Sequence, residues 1–140
     1  MKVKPERTGW RDQALSARHR EWGWDCPAVD IDQVWIEYDM GKVMGLFEYK
    51  REAIDWPPDL SARNYVALRD MADKARVPLF VVRYGRNLSW FEPRCASNIA
   101  HLGWAAYHGG HLTELEYVTF LYKLRTRHIP DGLAAKLSQP

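Results

Sequence analysis

The sequence predicts an α/β fold, a mixed central β-sheet flanked by helices, in the order α-β-β-α-β-β-α. Three observations carry this. An alternating run, 29–39, and a second strand-like run, 43–50, flank a glycine-containing turn. A continuous apolar run, Pro78–Tyr84, has the length and β-branched content of a buried strand. Stretches of helical periodicity stand before, between and after these runs.

Taken in order, Arg11–Trp22 reads as a helix, with Ala14, Leu15, Arg18 and Trp22 near one face and Gly23 to stop it. Val29–Asp39 alternates, placing Val34 and Ile36 on the same side as Asp30 and Asp32. Asp39–Lys42 is a turn and Val43–Lys50 a second strand, so the two form a hairpin. A turn centred on Gly41 sets Asp32 opposite Lys50 and Val34 opposite Glu48. Pro57 and Pro58 break the chain. Ser61 caps a helix running to about Arg76, whose buried side is Tyr65, Leu68, Met71 and Ala72. Gly85–Asn87 turns the Pro78–Tyr84 strand into another at Leu88–Glu92. Residues 95–111 give no single pattern. Leu112–Arg127 is a helix with Thr113 as N-cap and Glu116 at the third helical position. Its apolar set is Leu115, Val118, Leu121, Tyr122 and Leu124, and Pro130 closes it.

A chain of 140 residues is expected to form one domain, 1–140. With 46% hydrophobic and 27% charged residues it has globular composition, which excludes a wholly disordered or collagen-like chain. The start, Met1-Lys-Val-Lys-Pro5, lacks the apolar stretch of a secretory signal, and the longest uncharged run, Cys95–Thr113, carries three histidines. No membrane segment is therefore expected. Cys26 and Cys95 cannot make a disulfide framework and fit a reducing cytoplasm. Charge is unevenly spread: residues 29–62 sum to −5, whereas 63–94 sum to +4. An acidic centre within a basic chain suits a carboxylate metal site facing a polyanion, and it also suits ordinary surface charge.

The chemistry concentrates in Asp30-Ile-Asp32 and, one hairpin later, Glu48-Tyr49-Lys50. Strand alternation puts Glu48 and Lys50 on one face, the face shared by Asp32. A hard divalent cation takes oxygen ligands, and Asp32, Glu48 and the Tyr49 carbonyl supply three. Lys50 beside them can help deprotonate a water and stabilise developing phosphate charge. An exposed cross-strand Glu48–Lys50 pair is the structural alternative. Arg83, Arg86 and Arg94 beside Tyr84, Trp90 and Phe91 have the composition of a nucleic-acid contact, or of a solvated face. His101, His108 and His111 lack the Cys/His spacing of a structural zinc site.

Asp32, fifteen residues, then Glu48-Tyr49-Lys50 across a hairpin, behind a helix and ahead of a helix–strand unit, resembles the PD-(D/E)XK nuclease superfamily, the restriction-endonuclease-like fold. The string Asp30–Lys50 is similar to its small phage- or mobile-element-associated members, and the resemblance spans roughly residues 10–93. It implies a Mg²⁺- or Mn²⁺-dependent deoxyribonuclease. Asp32 matches the first metal-binding aspartate, with Asp30 an alternative on the same face. Glu48 matches the second acidic ligand and Lys50 the catalytic lysine. Glu21, or else Glu6, matches the glutamate that many members add from the first helix. Asn64 and Tyr65 occupy the region where some relatives hold substrate, without the usual spacing, and a core role for Tyr65 is the alternative. With Arg83 and Arg86 they complete the expected substrate contacts. The implied partner is DNA, branched or single-stranded forms included, and so small a chain points to a homodimer or a larger phage or replication assembly. The competing reading is a catalytically inactive domain of the same fold that binds nucleic acid or acts as an assembly or adaptor module.

Overall fold

In the computed structural model, which describes residues 13–22, 31–52, 56–98 and 110–139, the strands lie side by side in sequence order. They are β1 (Gln33–Glu37), β2 (Lys42–Arg51), β3 (Leu79–Tyr84) and β4 (Phe91–Cys95). The outer pairs are antiparallel and the central β2–β3 pair is parallel, so the sheet is mixed and open. The described residues also form four helices: α1 (Gln13–Trp22), α2 (Arg63–Ala75), α3 (Glu114–Leu124) and α4 (Asp131–Leu137). The chain divides into two units, Met1–Asp30, to which α1 belongs, and Ile31–Pro140, to which the sheet and the other three helices belong. No helix among the described residues is long and apolar enough to cross a membrane.

Strand alternation sorts the sheet residues onto two faces, each covered by one helix. Leu46, Leu79 and Val81 pack with Tyr65, Leu68 and Ala72 of α2. Phe47, Phe80 and Val82 pack with Tyr117, Phe120 and Leu124 of α3. The second layer is aromatic: the Phe80 and Phe120 rings meet edge-on at 5.1 Å, and Phe91 stacks on Tyr117 at 4.5 Å. A parallel pair buried on both faces explains the unbroken apolar run Pro78–Val82. Pro93 lies in β4, an edge strand, where its missing N–H costs no ladder bond with a further strand.

Several local expectations are corrected. The α2 N-terminus has Ala62 at the cap position with no side-chain bond, because Ser61 is engaged by Asp59, whose carboxylate accepts both its N–H (3.0 Å) and its hydroxyl (2.6 Å). Met71 is 43% exposed, lying off the Tyr65–Leu68–Ala72 stripe. Thr113 and Glu116 do form a capping box on α3. Of the expected apolar set, Leu124 is buried and Leu121 packs at the margin of the same cluster, while Tyr117 and Phe120, outside that set, complete the buried stripe of α3. The aromatic layer on the sheet draws in Tyr117 and Phe120 beside Leu124. The strand after Tyr84 starts later than expected, at Phe91, since Arg86–Leu88 forms a 3-10 turn. Pro130 does not end the helical region but stands at the N-cap of α4, with extended backbone.

The hairpin register also differs. Gly41 adopts φ +61° and donates its N–H to the Tyr38 carbonyl, closing a turn centred on Asp39 and Met40 rather than on Gly41. Glu37 then pairs with Lys42 and Ile36 with Val43. A β-bulge follows, and beyond it Trp35 pairs with Gly45, Val34 with Leu46 and Gln33 with Phe47. Val34 therefore lies opposite Leu46, not Glu48. Continued one residue further, this register sets Asp32 against Glu48 rather than Lys50.

Candidate active site

The bulge decides whether the acidic residues meet. In the register next to the turn, Asp32 would align with Phe47 and project away from Glu48, because directly opposed residues share a face. The extra residue, Met44, moves the outer half of the hairpin by one and returns Asp32 to the Glu48 face. The result is a reciprocal clasp. The Asp32 N–H donates to Glu48 Oε1 at 3.1 Å, and the Tyr49 N–H donates to Asp32 Oδ2 at 2.7 Å. β1 begins only at Gln33, which leaves the Tyr49 N–H without a strand partner, and the aspartate takes the place of the missing carbonyl. The Leu46 N–H points toward β3, bonding the Pro78 carbonyl, so by alternation Phe47 and Tyr49 turn their backbone groups toward β1. The Tyr49 carbonyl thus faces the edge where Asp32 sits. Its side chain lies on the opposite face, its hydroxyl 2.7 Å from that of Tyr117. Burial raises both phenols above their ordinary range, which keeps them neutral.

Glu48 is 7% exposed, Asp32 is exposed and Lys50 is half-buried. Two polar rows now cross the α2 face beyond the apolar row of Leu46 and Leu79. In one, Glu48 neighbours Val81, which neighbours Arg94; in the next, Lys50 neighbours Arg83, which neighbours Glu92. Arg83 and Lys50 are like charges side by side. Glu92 offsets this, its Oε1 accepting from Arg83 Nε at 3.1 Å and Nη2 at 2.8 Å. The Arg83 guanidinium also lies 5.1 Å from the Trp56 ring and 5.3 Å from the Trp90 ring, with Arg94 5.8 Å from Trp56. Trp90 stacks on His111 at 3.9 Å. It also covers Gly85 so closely that an added Cβ there would lie 2.2 Å from the indole nitrogen.

The structure thus brings Asp32, Glu48, Tyr49 and Lys50 to one end of the hairpin and adds Arg83 and Arg94 to the same face. Arg86 is separate, exposed on the 3-10 turn. Tyr65 is 6% exposed and packed in the α2 layer, which leaves almost none of it to reach a substrate, and Asn64 before it is exposed. Glu21 lies on α1, where Arg18 approaches it at 3.5 Å. Asp30, Glu6, Cys26, His101 and His108 fall outside the described residues. Among the described residues no three His, Cys, Asp or Glu side chains form a metal-binding group. Asp32 and Glu48 are a pair, and a backbone carbonyl is the third oxygen at that edge.

Sequence reading missed Trp56 and Glu92. Glu92 was accessible through the period-two spacing of Trp90, Glu92 and Arg94 in the β3–β4 hairpin. Trp56 was not, since its place beside Arg83 depends on the path of the chain around Pro57 and Pro58. No family model, curated protein or solved structure matches the chain.

Proposed function

We propose that the protein is a divalent-metal-dependent nuclease of the restriction-endonuclease-like type that hydrolyses phosphodiester bonds of DNA. The clasp of Asp32 and Glu48, with Lys50 two residues along the same face, is the observation that carries this reading. Asp32, Glu48 and the Tyr49 carbonyl form an all-oxygen donor set that fits Mg²⁺ or Mn²⁺. Bound there, the cation supplies an acidified water and neutralises charge on the phosphoryl oxygens. Lys50 carries an ammonium on the same face, suited to orienting the water and to stabilising charge that develops on the phosphate. Arg94, Arg83 and the Trp56–Trp90 bracket extend that face with cations and aromatic rings, the chemistry that follows a nucleic-acid strand.

A second reading has its own support. Each carboxylate already accepts a backbone N–H, so the clasp holds the end of the hairpin together without a metal. That suits an inactive domain serving as a nucleic-acid-binding or assembly module. One experiment separates the two: incubation with linear, circular, single-stranded and branched DNA, with Mn²⁺ and with EDTA. The nuclease reading expects cleavage with the metal and none with the chelator. Intact DNA in every arm, or cleavage that survives thorough chelation, removes it.

A further inference from the structure

A cleft of about 600 Å³ opens where β2 and β3 end, with Arg51 and Glu52 at the end of β2, Tyr84 at the end of β3, and Arg86, Asn87 and Leu88 from the 3-10 turn. Ligands of open α/β sheets sit outside the carboxyl ends of the parallel strands, and β2–β3 is the parallel pair of this sheet. The volume falls within the range of about 300–1,000 Å³ typical of small-molecule sites. It admits one nucleotide and is far too small for a double helix. Arg51 and Arg86 are both exposed, and neither forms an ion pair with a carboxylate among the described residues. Glu52 leaves the lining with one net positive charge.

The wall of the cleft is held in an uncommon conformation. Asn87 and Leu88 both have φ +58°, the left-handed region that side chains seldom occupy. The Gly85 carbonyl accepts the Leu88 N–H, the Arg86 carbonyl accepts both the N–H and hydroxyl of Ser89, and the Trp90 carbonyl accepts the Gly85 N–H. The turn keeps Arg86 and Leu88 at the rim, and the strand end supplies half-buried Tyr84. Arg51 directly follows Lys50 and projects to the other side of β2. A chain of phosphates passing over the end of that strand meets Lys50 on one side and Arg51 on the other.

We propose that this cleft holds one unpaired nucleotide of the substrate strand, Arg51 and Arg86 taking its phosphate while Tyr84 and Leu88 pack on its base. The proposal rests on the nucleic-acid reading of the adjoining Asp32–Glu48–Lys50 face, and it specifies the substrate as DNA with a single-stranded stretch. Binding is measured by fluorescence anisotropy in EDTA, using a labelled oligothymidylate and a labelled blunt duplex. The proteins compared are the wild type, the double variant Arg51→Ala/Arg86→Ala, and Arg51→Lys/Arg86→Lys. Both arginines are exposed, and a thermal melt checks that the variants fold.

The alanine pair should weaken single-strand binding about tenfold, in line with loss of a charge-assisted phosphate contact, and duplex binding less than twofold. The lysine pair should restore part of the single-strand loss. Equal losses on both probes, no loss, or no binding of the oligothymidylate by wild-type protein overturns the cleft proposal. A parallel Mn²⁺ cleavage assay keeps the two readings apart. Arginine-dependent single-strand binding without cleavage leaves the cleft assignment standing and removes the nuclease. Cleavage with single-strand affinity indifferent to the arginines does the reverse.

Discussion

Asp32 and Glu48 each accept a backbone N–H, and substitution separates this structural role from a chemical one. An amide oxygen accepts the same bond as a carboxylate oxygen but brings no negative charge. Asp32→Asn and Glu48→Gln should therefore melt within a few degrees of wild type while losing Mn²⁺ binding and cleavage, read by calorimetric titration and a nuclease assay. Glu48→Ala additionally leaves the Asp32 N–H without its acceptor, at a cost of about 1–3 kcal/mol. Lys50→Ala should stop cleavage and leave DNA affinity largely unchanged, because affinity for a polyanion sums over many contacts. Full activity in the Asn, Gln and Lys50 variants together would transfer the chemistry to another part of the molecule.

At the level of elements, the β1–β2 hairpin and α3 carry most of the positioning. The bulge at Met44 sets which face Asp32 occupies, and α3 anchors the edge strand β1 through Trp35, whose indole N–H donates to the Leu121 carbonyl at 2.9 Å. Carbonyls in the last turn of a helix lack intrahelical partners, which makes Leu121 available. Thr113→Ala removes half of the α3 capping box and should cost about 1 kcal/mol in urea denaturation. Phe120→Ala empties a site only 1% exposed and should cost about 3–5 kcal/mol. Gly85→Ala tests the Trp90 bracket: its methyl group would displace the indole, loosening the stack on His111 and Arg83. We expect a stability loss of about 1–3 kcal/mol with a changed tryptophan emission. An unchanged emission spectrum would place Trp90 elsewhere in solution.

Across the Ile31–Pro140 unit, Glu37 ties the first strand to the segment after α3. Its side chain is 4% exposed and accepts from Arg125 Nε at 3.1 Å, from Arg127 Nε at 3.1 Å and from Arg127 Nη2. Arg127 foremost, then Arg125, holds its carboxyl below the ordinary carboxylate range, against the opposing effect of burial. A carboxyl with a depressed folded pKa adds stability that is fully present above its unfolded value and lost as pH falls through the folded one. The stability gap between wild type and Glu37→Gln should therefore be widest near neutral pH and close on acidification below the usual carboxylate range. Denaturation curves from pH 7 to pH 3 check this, and a gap that widens in acid contradicts it.

Local pattern alone determined the types of the four strands and of α1, α2 and α3, the presence of a turn within Asp39–Lys42, the Thr113 cap and the sharing of one face by Glu48 and Lys50, but not α4. These follow from period-two and 3.6-residue spacing and from short-range hydrogen bonding, which neighbouring residues settle among themselves. The candidate pair Asp32–Glu48 was legible, but its register was not. A bulge adds one residue without a strong compositional mark, and only the pairing of two strands reveals it. The buried stripe of α3 was likewise decided by what it packs on, since the aromatic layer of β2 and β3 draws in Tyr117 and Phe120 beside Leu124. The split of Arg83 from Arg86, the bracketing of Arg83 by Trp56 and Trp90, and the hold of Arg125 and Arg127 on Glu37 join residues up to 90 positions apart. Such contacts depend on the path of the whole chain, which no local window of sequence contains.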